Sequence, residues 1–188
     1  MNRDEEHEVR VHQLFVNQDG WLVAAPYEFS GETYTDNDIA TKQLYDATEV
    51  EGDYQIIAHP YRQNTAAMDY EKPVTIHLNA DGSISGEYTG KWELVSGTSY
   101  INLTLKGVAT ANAEVMFKGV LTKQTIDYTN IKALCFTALS SSDGLATSGG
   151  ASLQTSGLSI WGSKADAKAA IKYTLDKTSV PFADGATL

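Results

Sequence analysis

Hydrophobic and polar residues alternate with a period of two through much of the chain, the signature of strands with one buried face. The run HEVRVHQLFVNQDGWLVAAPYEF, from His7 to Phe29, shows this first. Val9, Val11 and Phe15 share one face, and Arg10, His12 and Leu14 take the other. NQDG, Asn17 to Gly20, then supplies a turn, because Asp-Gly tolerates the positive φ that tight hairpins need. Trp21 to Ala25 returns as the partner strand.

The device recurs in KPVTIHLNADGSISGEYTG around Asp81-Gly82. Further strand patterns are DYQIIAH (53–59), KWELV (91–95), SYINLTL (99–105), AEVMFKGVLTKQT (113–125), IKALCFTALSS (131–141) and GLSIWGSK (157–164). Short strands at close spacing with Gly-containing turns indicate a sandwich or barrel. Closure removes exposed strand edges. The chain is therefore expected to be all-β, a meandering antiparallel β-barrel of about eight strands preceded by an N-terminal β-hairpin. IKALCFTAL is apolar on both parities, which predicts cover on both of its faces.

Three stretches break the pattern. Between Gly31 and Gly52 there is room for a short helix near Ala40 to Tyr45, but the segment reads mainly as a long loop with weak strand character. SSSDGLATSGGASLQTSG, Ser140 to Gly157, is a Gly/Ser-rich loop. After Lys164, KADAKAAIK has helix formers but a thin apolar stripe, and the remainder reads as a linker or tail, 165–188.

Composition narrows the options. The chain has 188 residues, long enough for one real core, with 42% hydrophobic and 20% charged residues. Twenty-four acidic against 14 basic residues give a formal charge of −10. That argues against nucleic acid or an anionic membrane as partner. No stretch nears the roughly 18 apolar residues that span a bilayer. MNRDEEHEVR lacks a signal peptide's apolar core. The single cysteine, Cys135, forbids an internal disulfide and reads as a buried small hydrophobe.

Catalytic constellations are weak. His7, His12, His59 and His77 lack metal-site spacing, and no cofactor is implied. There is no GxSxG elbow and no phosphate loop. Sugar hydrolysis needs two carboxylates about 5–10 Å apart. The pairs Asp36/Asp38, Asp69/Glu71 and Glu87/Glu93 were each more simply solvated surface charge. Ten tyrosines and three tryptophans are more suggestive, since aromatic rings stack on sugar C–H faces. Trp21, Tyr27, Tyr34 and Tyr61 are the candidate carbohydrate contacts, whereas Trp92 and Trp161 fall in strands and are expected to fill or cap the barrel.

The His7–Phe29 run resembles a segment of bacterial glycoside hydrolase family 43, the arabinan-degrading group in particular. SISGEYTGKWEL, YINLTL, FKGVLTKQ, KALCFTAL and LSIWGSK resemble, in order, the all-β accessory domain that follows the catalytic propeller in that family. The resemblance implies that residues 1–27 are the end of the propeller domain and 28–164 the accessory barrel. It carries over no catalytic residue, since the propeller's three acids have no counterpart here. It implies an extracellular parent enzyme, a catalytic propeller of the same polypeptide as partner, and arabinan as a possible ligand. Arg10, His12, Gln13 and Trp21 are then the interdomain contacts. The alternatives are an arabinan-binding module and a lipocalin-like barrel with a small ligand in its mouth.

Overall fold

The computed structural model describes residues 9–59, 72–109, 112–141 and 158–165. Strands β1 (Leu14–Val16) and β2 (Leu22–Ala24) form a two-stranded sheet. Helices α1 (Asp36–Thr41) and α2 (Ala47–Val50) follow. The remaining strands are β3 (Gly52–His59), β4 (Val74–Leu78), β5 (Ser83–Gly86), β6 (Thr89–Leu94), β7 (Tyr100–Lys106), β8 (Glu114–Thr125), β9 (Lys132–Ser140) and β10 (Ser159–Lys164). They close in the order β10-β3-β4-β5-β6-β7-β8-β9, every pair antiparallel. The barrel is an up-and-down meander in which β10 closes the ring between β3 and β9.

The two Asp-Gly turns share one local design. Gly20 and Gly82 sit at φ 80° and 81°, which a side chain rarely adopts. Each donates its N–H to the asparagine three residues earlier, Asn17 or Asn79. Only the glycine takes the left-handed conformation, so these are three-residue loops with Gly at the bulge position.

Side chains fill the barrel. Tyr54, Ile56, Ile76, Leu78, Ile101, Leu103, Leu105, Phe117 and Phe136 are fully buried in one cluster. Trp92 joins it, donating its indole N–H to the Asn79 carbonyl at 2.9 Å. These aromatic rings and branched chains pack against one another within the barrel. Trp161 differs from expectation. Ile160 and Gly162 on either side of it are buried, so the half-buried indole points to the opposite, outer face of β10.

The Gly31–Gly52 segment also differs. It folds as α1 and α2, not as a loop with strand character. The reason is local: Thr35 with Asp38, and Asp46 with Glu49, each make a complete capping box that satisfies both ends of the first turn. α2 closes one end of the barrel, placing Val50 and Tyr45 in its core, and Tyr54 donates its hydroxyl to the Val50 carbonyl at 2.8 Å.

β9 shows why its sequence is apolar on both parities. Leu134, Phe136 and Ala138 face the interior. Ala133 and Cys135 face out and are still buried, with Ile126 and Tyr27 over them. Burial pushes the Cys135 thiol up to about 12, so it stays protonated and inert.

Candidate functional site

The cover on the outer face of β8 and β9 is the N-terminal hairpin. Register sets its two sides: Leu14 opposes Ala24 and Val16 opposes Leu22, while Phe15 opposes Val23 on the other side. Phe15, Val23 and Ala25 pack inward on Ile39 of α1 and Val120 of β8. Tyr34, Tyr100 and Leu139 complete this second core.

Polar contacts fix the turn to the barrel. Asn17 Oδ1 accepts the N–H of Asp19 and of Trp21, both at 3.0 Å, and Asn17 Nδ2 donates to the Lys118 carbonyl at 3.2 Å. Lys118 Nζ lies 2.7 Å from Asp19 Oδ1, with both side chains largely buried. Ser141 donates to the other oxygen of Asp19 at 3.1 Å.

The outward side is apolar and open. Leu14 is 56% exposed, Trp21 63% and Leu22 64%. Val9, Val11 and Phe29 are also exposed, and Phe29 N–H bonds the Val11 carbonyl at 2.8 Å. Six of the nine large exposed hydrophobics among the described residues thus fall between Val9 and Phe29. A clustered apolar surface of this kind marks an interaction site far better than scattered single residues do.

The residues singled out from sequence have varied places. Trp21 is exposed at the end of the hairpin turn, on the parity of Val23 and not of Leu22. Arg10 turns back to Asp127 at 3.0 Å and lies over the Tyr128 ring. His12 Nδ1 bonds the Ala25 carbonyl at 2.9 Å, and its ring stacks on Trp161 at 6.1 Å. Gln13 Nε2 donates to the Tyr34 carbonyl at 2.8 Å. Tyr34 donates its hydroxyl to the Lys123 carbonyl at 3.0 Å and meets the Tyr45 hydroxyl at 3.1 Å. Tyr27 is half-buried over the Cys135 cluster. Tyr61 lies outside the described residues. Leu14 lies on the face opposite Phe15, as the alternation predicts, whereas Val9 and Val11, expected to share the Phe15 face, are exposed, and Leu22 and Phe29 were missed as exposed residues. The available signal was a hairpin apolar on both parities, like β9.

Two of the paired acids, Asp38 and Glu93, have structural contacts. Asp38 caps α1 and pairs with Lys42 at 2.5 Å, and Glu93 accepts from Asn102 at 3.0 Å. Asp69 and Glu71 lie outside the described residues. No group of three or more His, Cys, Asp or Glu suited to a metal occurs among the described residues.

Glu32 secures the segment after the hairpin. Burial alone would raise its carboxyl, but hydrogen bonds from Ser30 and Thr125, its own backbone and the nearby Lys132 hold it down to about 2. A depressed acid stabilises the fold above its ordinary value and loses that contribution as pH falls toward the folded one. Between about pH 5 and pH 2, the wild type is expected to lose on the order of 2 kcal/mol more than Glu32→Gln. Urea unfolding across that range checks this, and parallel curves would refute it.

The sequence profile of the glycoside hydrolase family 43 C-terminal lipocalin-like domain matches residues 26–149. The chain belongs to this family. It is 35% identical over 162 residues to the extracellular endo-α-(1→5)-L-arabinanase 2 of Bacillus subtilis strain 168, covering 86% of this chain and 28% of that protein. It is 38% identical over 161 residues to the extracellular endo-α-(1→5)-L-arabinanase of Thermotoga petrophila RKU-1, covering 85% and 28%. The crystal structure of the Thermotoga petrophila endo-1,5-α-L-arabinanase superimposes with a TM-score of 0.60 at 35% identity, over 82% of this chain and 28% of that one. The family 43 glycoside hydrolase YxiA protein of Bacillus licheniformis gives 0.62 at 29% identity, over 85% and 29%. This family 43 C-terminal domain therefore spans little more than a quarter of the length of the curated relatives it matches.

Proposed function

We propose that this chain is the non-catalytic accessory domain of an arabinan-degrading glycoside hydrolase acting outside the cell. It packs on the catalytic propeller of the same polypeptide and supports it. The observation that carries this reading is the apolar outward side of the hairpin. The hairpin's inner side is occupied by the barrel, its outer side offers Leu14 and Leu22 to a second body, and Trp21 is exposed at its turn. The relatives support the choice of that body, since both are named extracellular arabinanases and both extend far beyond the matched part. Domain interfaces within a chain bury about 600–1,500 Å², which a patch of this kind can seed.

The test compares the chain alone with a protein that also carries the catalytic module. Leu14→Glu with Leu22→Glu is expected to leave the lone domain within about 0.5 kcal/mol of wild type, because both sites are solvent-exposed. In the longer protein the same pair is expected to split one thermal transition into two. A single unchanged transition would remove the proposed interface.

Arabinan binding is the second reading, and Trp21 favours it as the exposed ring among the described members of the aromatic set. Titration of arabino-oligosaccharides into wild type and Trp21→Ala separates it from docking.

A further inference from the structure

Beside α2, where β8, β9 and β10 meet one end of the barrel, lies a cleft of about 510 Å³, within the size range of small-molecule sites. None of its residues belongs to the hairpin. Lys123, Lys132 and Lys164 come from three neighbouring strands and line it. Three of only 14 basic residues in a chain of net charge −10 are thus gathered in one place. Glu49 joins them, beside an apolar wall that includes Ile131 and Leu134, while the Asp53 carboxylate at the rim is taken by His77 Nδ1 at 2.6 Å.

The ammonium groups keep bonding capacity. Lys123 Nζ is 3.4 Å from Glu49 Oε1, a long contact, and side chains of this pair are 49% and 44% exposed. Lys132 Nζ is 3.9 Å from Glu32 Oε1, a carboxylate that Ser30 and Thr125 already bond. Lys164 Nζ donates to the Glu49 backbone carbonyl at 2.5 Å. Each ammonium carries three donors, so these contacts leave further ones to offer a ligand.

We propose that this cleft binds a carboxylated saccharide, a uronate unit of a polysaccharide. The lysines meet the sugar carboxylate. Glu49 accepts hydrogen bonds from its hydroxyls, and the apolar wall takes its C–H face. Glu49 opposes a doubly charged anion such as phosphate, while a neutral sugar leaves the lysines unused. A polyhydroxylated monoanion matches both halves of the site.

Calorimetric titration of the full chain at low salt tests this with three probes: trigalacturonate, neutral galactotriose and inorganic phosphate. Trigalacturonate is expected to bind with a millimolar dissociation constant. Lys123→Gln with Lys132→Gln is expected to weaken it by about fivefold to tenfold, on the scale of exposed charge pairs, with circular dichroism unchanged. Equal binding of galactotriose, equal binding of phosphate, an unaffected double variant, or no heat from any probe would each overturn the proposal. Failure of the hairpin docking experiment would leave this result untouched, and the reverse also holds.

Discussion

Gly162→Ala is expected to cost about 3 kcal/mol or more, at or above the top of the usual range for overpacking a core. Gly162 pairs across the closing strand with Ile56 on β3 and Phe136 on β9. A Cβ there would lie 2.2 Å from two atoms of the Phe136 ring. The ring has nowhere to retreat. Tyr54 packs against it with centroids 5.4 Å apart, and the Tyr54 hydroxyl is tied to the Val50 carbonyl. Both strands beside Gly162 are laddered, so the backbone cannot yield without breaking ring closure. Total stabilities of domains run at about 5–15 kcal/mol, so this one methyl group removes a large part of it.

Urea midpoints measure the effect, and two further variants make it specific. Gly162→Ala with Phe136→Leu is expected to recover part of the loss, giving a clear coupling in a double-mutant cycle. Gly97→Ala is the contrast. No atom lies within 4 Å of a Cβ there, but φ is +76°, so its cost is conformational, about 1 kcal/mol. A Gly162→Ala protein within about 1 kcal/mol of wild type would show that Phe136 does not lie over this glycine.

How much of this was legible beforehand depends on which residues carried the information. Period-two alternation, paired with Asn-x-Asp-Gly turns, gave the barrel strands and the hairpin, because burial of one face writes itself into local sequence. β9 announced a second layer by being apolar on both parities, and the hairpin is that layer. The helices were harder to see. α1 and α2 span 6 and 4 residues, too short for an apolar stripe, and only their capping boxes betray them. The cleft was illegible for a different reason. Lys123 and Lys132 share the β8–β9 hairpin, but Lys164 lies far along the chain, and only the closing of the ring by β10 between β9 and β3 brings it to the same end. Tyr34 looked available as a loop aromatic, but its hydroxyl is spent on the β8 backbone, a long-range bond that local sequence cannot report.

Phe15→Ala is expected to cost about 3–5 kcal/mol locally, the range for truncating a buried phenylalanine. Phe15 is 1% exposed at the centre of the second core, and it meets Tyr34 edge-on at 6.3 Å. The core inside the barrel contains no hairpin residue. The physical consequence is a separation of layers: the hairpin loosens while the barrel persists. Hydrogen exchange reads this directly. Amides of Leu14 to Ala25 are expected to lose protection in Phe15→Ala, and those of β4 to β7 to keep it. Polar ties such as Asn17 to Lys118, Asp19 to Lys118 and Arg10 to Asp127 hold the segment but bury little apolar surface, so they cannot substitute for the ring. Simultaneous loss of protection in hairpin and barrel would mean that the two cores form one cooperative unit. The hairpin would then be an inseparable wall of the barrel, and its outward side a surface the whole domain presents.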